Sequence, residues 1–379
     1  MSSILFEKKR ANINGAGARL ATILVGLCLS AFWLGQPFLQ RQIAAEALAI
    51  HPWLPSGIFS LTVLLGGLLS IFFIRLGDWR RLSLIAGLVS GAAFLLPGFV
   101  AGDAVLWSSL ALAGLFAGFG LSVVATCLGD TATPVRNFAG LLLLLGLVSA
   151  GLEQIQETLL AGFSFQQGLL GVAAVAFVAI PLSRLMPSSG SKRISLLNDQ
   201  GNQLSAGLLA ALAGSLLLFL GSGLLWYLCE PLASAMALAV STQSELVLIL
   251  AGPVGAMVAA ILANRAGYAV PFVVAAVILL AALALLQFLP GETGYLAGFS
   301  LVAAAVFFAA AYVLALIAQL DGSGRFAPLL LVAPLAGLML GHLVAGKFAA
   351  GENFLLLWGG TATLWFVGTL LLLWAGKSR

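Results

Sequence analysis

Apolar runs of about 20 residues, divided by short polar breaks, fill the chain from end to end. A run of that length crosses the ~30 Å hydrocarbon layer of a bilayer as a helix, a conformation that satisfies its own backbone hydrogen bonds where no water can. The pattern predicts twelve spans, at 20–39, 57–75, 82–101, 105–128, 137–161, 165–186, 204–229, 244–263, 268–289, 295–320, 326–346 and 353–376. The longest polar interruption, 187–203, follows the sixth span. It divides the chain into a tail (1–19), a six-helix bundle (20–186), a linker (187–203) and a second six-helix bundle (204–376). Corresponding spans of the two bundles start 184, 187, 186, 190, 189 and 188 residues apart. Six spans return the chain to its starting side, so the repeat is parallel, with a pseudo-twofold axis along the membrane normal.

Local sequence repeats in the same register. Leu128-Gly129-Asp130 leads through Arg136 into Asn137-Phe138-Ala139 and a leucine run, and Leu320-Asp321 leads through Arg325 into Phe326-Ala327-Pro328 and another. Span 1 carries Trp33 with Gln36-Pro37, and span 7 carries Trp226 with Glu230-Pro231. The loop after span 2 holds Arg75, Gly77, Asp78, Arg80 and Arg81, and its counterpart after span 8 holds Asn264, Arg265 and Gly267.

Composition removes the soluble alternatives. The 379 residues are 61% hydrophobic and 8% charged, with mean hydropathy +1.12, whereas a soluble domain is roughly 25% charged. With the N-terminus cytoplasmic, 15 of the 17 Lys and Arg fall on the cytoplasmic side, and only Arg41 and Lys347 fall outside. Positive charge stays on the cytoplasmic side, so the bias supports an even number of spans and cytoplasmic N- and C-termini. The net charge of +4 thus reports topology and not a nucleic-acid footprint. Cys28, Cys127 and Cys229 lie inside predicted helices without metal-type spacing and are read as packing residues; no cofactor or metal site is expected. The basic N-terminus and first apolar run resemble a signal peptide, but the run is long and its cleavage breaks the symmetry, so it is read as an uncleaved helix.

Taken together, these motifs resemble those of the major facilitator superfamily. Asp78, Arg80 and Arg81 match the charged members of its loop after helix 2. The first glycine of that motif is replaced near Ser70, and the loop is about one residue shorter. Asn264, Arg265 and Gly267 fit the weaker second copy, and the passages 130–136 and 321–325 resemble the junctions of helices 4–5 and 10–11. The resemblance covers essentially the whole chain. It implies an all-α polytopic fold and secondary transport by alternating access, in a monomer of the bacterial inner membrane. It carries no substrate. The family's antiporters often have a Gly-Pro motif in helix 5, and here span 5 has Gly146 and Gly151 without that proline.

Two sets of polar residues are candidates for function. Asp78, Arg80, Arg81, Asp130, Arg136, Asn264, Arg265, Asp321 and Arg325 lie at cytoplasmic helix ends. They either cap helices and meet lipid headgroups, or form a gate whose ion pairs part when the inner side opens. The second set lies deeper. Gln36 is 17 residues beyond Arg19, roughly 25 Å along a helix, and Glu153, Gln154 and His342 are similarly far from Arg136 and Arg325. Glu230 lies near the outer end of span 7. Ionisable groups at such depth are costly and invite a functional reading, here a solute and proton pathway through Glu153 or His342. The alternative is that Glu153, Glu157 and Glu230 simply reach outer headgroups.

Trp33, Trp226 and Tyr312, with Phe38, Tyr227, Phe307 and Phe308, sit on spans 1, 7 and 10, which line the pore in this superfamily. They suit a partly apolar organic solute, or serve as core and interface anchors. Glycine ridges such as Gly114/Gly118, Gly146/Ala150 and Gly337/Gly341/Ala345 predict close helix packing. No Walker-type loop is present, so a gradient and not a nucleotide supplies the energy. The expected partners are a small solute, protons and membrane lipids. Two alternatives stand beside transport: a transport-incompetent sensor or assembly factor on the same fold, and an enzyme acting on lipid-linked substrates.

Overall fold

The structure, a computed structural model, describes residues 15–45, 54–74, 77–100, 102–156, 162–189, 205–238, 242–289, 291–321, 324, 326–349 and 354–377. Among these residues every regular element is helical. In chain order they are α1 (Ala16–Leu29), α2 (Ala31–Ala45), α3 (Leu54–Phe73), α4 (Trp79–Phe99), α5 (Asp103–Gly129), α6 (Pro134–Gln156), α7 (Phe165–Ser183), α8 (Ala206–Tyr227), α9 (Cys229–Ala235), α10 (Thr242–Leu262), α11 (Ala269–Phe288), α12 (Glu292–Leu320), α13 (Leu329–Ala349) and α14 (Phe354–Lys377). A 3₁₀ turn, Ala263–Ala266, follows α10. Eleven stretches among the described residues are long and apolar enough to cross a membrane, and α10 contributes a shorter apolar stretch, Leu246–Leu262. Each of the twelve predicted spans meets one of these stretches.

Polar residues at the breaks start the helices. Asp78 caps α4 by accepting the Arg80 N–H at 2.9 Å, Ser205 caps α8, and Ser164 with Gln167 forms a reciprocal capping box on α7. The first span differs from expectation. It continues to Ala45, because Gln40-Arg41-Gln42, polar enough to read as loop, are good helix formers. It breaks instead at Ser30, whose hydroxyl donates to the Gly26 carbonyl at 2.9 Å. The seventh span likewise divides at Leu228 into α8 and α9, with Pro231 in the first turn of α9, where its missing N–H costs little. The predicted tail (1–19) and linker (187–203) lie mostly outside the described residues.

Two compact units make up the chain. The first takes its described residues from Met1–Asn137, Val148–Asn202 and Asp321–Leu331, and the second from Phe138–Leu147, Gln203–Leu320 and Val332–Arg379. Phe138–Leu147 and Asp321–Leu331 therefore group across the division drawn from the sequence. Inside the units the packing repeats. In the first, α3 lies on α5, α4 on α5 and α7, and α1 on α5 and α7. In the second, α10 lies on α12, α11 on α12 and α14, and α8 on α12 and α14.

The repeat holds to the residue. A Cβ at Gly66 would stand 1.9 Å from the Leu115 carbonyl oxygen, and one at Gly255 would stand 1.9 Å from that of Ala304. Both members of this pair recur after 189 positions. Lipid tails are as apolar as leucine, so helices in a bilayer are held by close van der Waals approach, which small residues permit. The glycine ridges work this way: Gly114 and Gly118 meet the backbone at Phe59 and Val63, and Gly337 and Gly341 meet it at Leu216 and Leu220. Ring packing finishes each unit. Phe32 stacks on Phe59 with centroids 4.3 Å apart, and buried Trp365 donates its indole N–H to the Leu218 carbonyl at 3.1 Å.

Candidate functional site

Within each unit, successive helices joined by short connections run in alternate directions. The end at 187–189 in the first unit, and the end at which α8 begins in the second, is called the linker side of that unit, and the opposite end its far side. On the far side of the first unit, the last turns of α2 and α6 carry a charge pair. Arg41 Nη2 donates to Glu153 Oε1. In the sequence Arg41 falls just outside the first predicted span, and Glu153 is a candidate for a solute and proton pathway. The extra turns of α2 bring the guanidinium to the acid. Glu153 is buried, and a buried carboxylate needs such a partner.

Three residues of α2, Trp33, Gln36 and Gln40, share one helix face by their spacing. Trp33 donates its indole N–H to Ser60 Oγ of α3 at 3.1 Å and stands edge-on to Phe59. Gln36 is half-buried. Gln40 Nε2 is buried without a hydrogen-bond partner among the described residues. Gln154 is exposed beside Glu153. Neither Ser60 nor Gln40 stood out in the sequence, since single uncharged polar residues are common in membrane helices.

On the far side of the second unit, His342 of α13 and Tyr227 of α8 meet edge to face, centroids 6.2 Å apart. His342 Nδ1 lies 2.9 Å from the Leu338 carbonyl one turn back. A carbonyl only accepts, so the contact places a hydrogen on Nδ1 and is made without Nε2. The two helices are held together by the approach of Gly223 to Leu338 and of Gly341 to Leu220. Trp226 is 48% exposed. Glu230 falls in α9, and its side chain and Glu157 lie outside the described residues.

Tyr312 of α12 lies inside the second unit. It has no exposed surface, and its hydroxyl donates to the Ala263 carbonyl at 3.1 Å. Tyr268 and Phe308 pack against its ring. It therefore works in the packing of the second unit, holding the turn after α10, where Ala263 takes a positive φ of 37°. An alanine there is strained, and the bond from α12 helps to hold it.

The linker-side residues mostly organise loops. Besides the Asp78 cap, Arg80 Nε donates to the Met186 carbonyl and the Trp79 N–H to the Ser188 carbonyl at 2.9 Å, tying the α3–α4 loop to the end of α7. Arg81, Arg136 and Arg265 are exposed. Asp130 ends α5, and in the turn that follows Asn137 donates to Thr131 Oγ1 at 2.6 Å. Buried Asp321 accepts the Phe326 N–H at 2.8 Å, closing its own turn. The side chain of Asn264, and Arg325 altogether, lie outside the described residues. Among those described, no group of three or more His, Cys, Asp or Glu is placed to hold a metal ion.

No family model matches the chain, and no curated protein does. Solved structures do. The crystal structure of the human organic anion transporter MFSD10 (TETRAN) matches 96% of this chain and 99% of its own with a TM-score of 0.66 at 16% identity. The proton:xylose symporter XylE, bound to 6-bromo-6-deoxy-D-glucose, matches 98% of this chain and 95% of its own with a TM-score of 0.70 at 12% identity. Through these likenesses the repeat, the span count and the glycine-packed bundles come to one conclusion: the chain is a multi-pass membrane protein with the major facilitator fold.

Proposed function

We propose that the chain is a secondary active transporter that moves a small organic solute across the membrane by alternating access. The observation that carries the reading is the residue-level repeat, Gly66 on Leu115 and Gly255 on Ala304. Two bundles built alike are what a carrier needs to rock about a midplane site. The printed names of the two solved structures, an organic anion transporter and a proton:xylose symporter, support transport rather than catalysis and a small solute as cargo. In this reading the bundles 20–186 and 204–376 are the moving bodies and 187–203 connects them. The linker side is cytoplasmic, in the inner membrane of a bacterium, and the protein works as a monomer.

The far side is then the outside, and its polar residues belong to the pathway: Gln36, Glu153, Gln154, Glu230 and His342, with Trp33 and Trp226. The linker-side acids and arginines form the inner gate. Protons are the proposed coupling ion. A proton on Glu153 and its pairing with Arg41 exclude each other, and His342 presents a nitrogen able to take a proton. The test is a solute panel on protein reconstituted in liposomes with an internal pH dye. Flux of one solute with a matching pH change is expected. Flux without a pH change rejects the coupling alone, and no flux with any solute favours a sensor or assembly role on the same fold.

A further inference from the structure

Two exposed arginines stand at the linker-side end of the first unit, where α4 packs on α7. These helices are antiparallel and keep one register along their seam. A Cβ at Gly98 would stand 3.0 Å from Leu170, and one at Gly91 would stand 2.7 Å from Phe177. Both partners of this contact recur after seven residues, about two turns of helix, so the next step sets Arg184 opposite Leu84. Arg184, the C-cap of α7, still has helical dihedrals (φ −66°, ψ −24°), so the register reaches it. Arg81 lies three residues before Leu84, or ~4.5 Å of helix. The neighbouring loop is fixed to the end of α7 by Arg80 on the Met186 carbonyl and by the Trp79 N–H on that of Ser188. We propose that Arg81 and Arg184 together bind the phosphate of one anionic phospholipid, whose acyl chains lie along the outer face of α4 and α7.

Three observations carry this. The first is charge. Among the described residues neither guanidinium forms an ion pair or a side-chain hydrogen bond, and Asp78, three residues before Arg81, is engaged in capping α4. Two guanidinium forks without partners suit the oxygens of a phosphate. The second is the surface below them. Ile85 and Leu88 continue the exposed stripe of α4 that begins at Arg81, and Val178 and Leu185 are exposed on α7. In a bilayer such side chains meet acyl chains, so headgroup and chain contacts fall on one molecule. The third comes from the repeat. Buried Ser83 of α4 and Ser183 of α7 correspond after 189 positions to buried Phe272 of α11 and Leu372 of α14. In the same register Arg81 corresponds to Val270, 57% exposed, and Arg184 to Leu373. The second unit packs α11 on α14 without a cation at either place, so packing does not call for the arginines. The site goes beyond the transport reading and rests on the membrane fold alone.

Native mass spectrometry of the protein in dodecyl maltoside counts bound lipid directly. The titrants are dioleoylphosphatidylglycerol and, separately, dioleoylphosphatidylcholine, whose phosphate is neutralised by its own choline. One phosphatidylglycerol is expected to bind at concentrations where phosphatidylcholine does not. Arg184→Gln and Arg81→Gln are each expected to weaken that binding about fivefold, and the double variant by about 25-fold. Should one single variant fold poorly, the other keeps the test. Arg184 stands outside the gate residues, so its effect is not one of gating. Arg265→Gln removes an exposed linker-side charge from the second unit and is expected to change nothing. Equal binding of the two lipids, or wild-type affinity in the double variant, overturns the proposal. So does a loss in Arg265→Gln as large as that in Arg184→Gln, since headgroups are then drawn by linker-side charge at large. Glycerol 3-phosphate carries the anion without the chains and is expected not to displace the lipid. Displacement at equal concentration overturns the lipid site and assigns the arginines to a soluble phosphate.

Discussion

Gly255 faces the carbonyl of Ala304 so closely that a Cβ would stand 1.9 Å from its oxygen. No rotamer change relieves this, because the obstacle is backbone. The helices α10 and α12 must separate to admit even one methyl group. Gly255→Ala is therefore expected to destabilise the protein by about 1–3 kcal/mol, and Gly66→Ala, against Leu115, by a similar amount. Thermal unfolding of both variants in detergent checks this. A stable Gly255→Ala beside an unstable Gly66→Ala would show that the repeat is not equivalent in packing.

Asp78 has an observed role as a helix cap and a proposed one in gating, and one substitution separates them. Its carboxylate caps α4 through the Arg80 N–H, and asparagine caps about as well as aspartate. Asp78→Asn should leave the unfolding midpoint near that of wild type, while Asp78→Ala loses about 1 kcal/mol. A gating role needs the charge itself. A partly exposed charge worth about 1 kcal/mol biases a two-state equilibrium about fivefold, so Asp78→Asn should cut flux by roughly that factor. Full flux in Asp78→Asn would leave only the cap.

Tyr312 holds the strained turn at Ala263 from α12. Removing the hydroxyl in Tyr312→Phe keeps the ring packing against Phe308 and Tyr268, and should lower stability by about 1 kcal/mol. Because the side chain has no exposed surface, the KM for any transported solute should be unchanged. A raised KM with unaltered stability would return Tyr312 to the pathway.

The fold was largely legible because its signals are periodic and local. Span length reports on neighbouring residues, and the Gly114/Gly118 ridge found its partner helix where small residues allowed it. The site was legible only in part, because it is made of pairs distant in sequence. Arg41 and Glu153 stand 112 residues apart, and nothing along the chain announces that three polar residues after Leu39 continue a helix toward α6. Tyr312 is legible in kind but not in partner: a mid-span tyrosine announces a hydroxyl, and only the fold shows the Ala263 carbonyl that takes it.

His342 offers a test in which fold and function part cleanly. Its Nδ1 contacts the Leu338 carbonyl, and Nε2 is the nitrogen that contact leaves over. Asparagine places an amide N–H close to the Nδ1 position, so His342→Asn keeps a donor for Leu338 and should unfold near the wild-type temperature, while nothing replaces Nε2. If Nε2 takes a proton or a solute hydrogen bond, a loss of about 1.5 kcal/mol is expected, or about tenfold in apparent solute affinity. The internal pH signal should fall with it when His342 is the proton carrier. The Tyr227 contact serves as a control. Tyr227→Phe preserves the edge-to-face ring packing, so it should leave the His342-dependent signal intact. A pH signal that persists in His342→Asn but disappears in Glu153→Gln would move the coupling to the first unit.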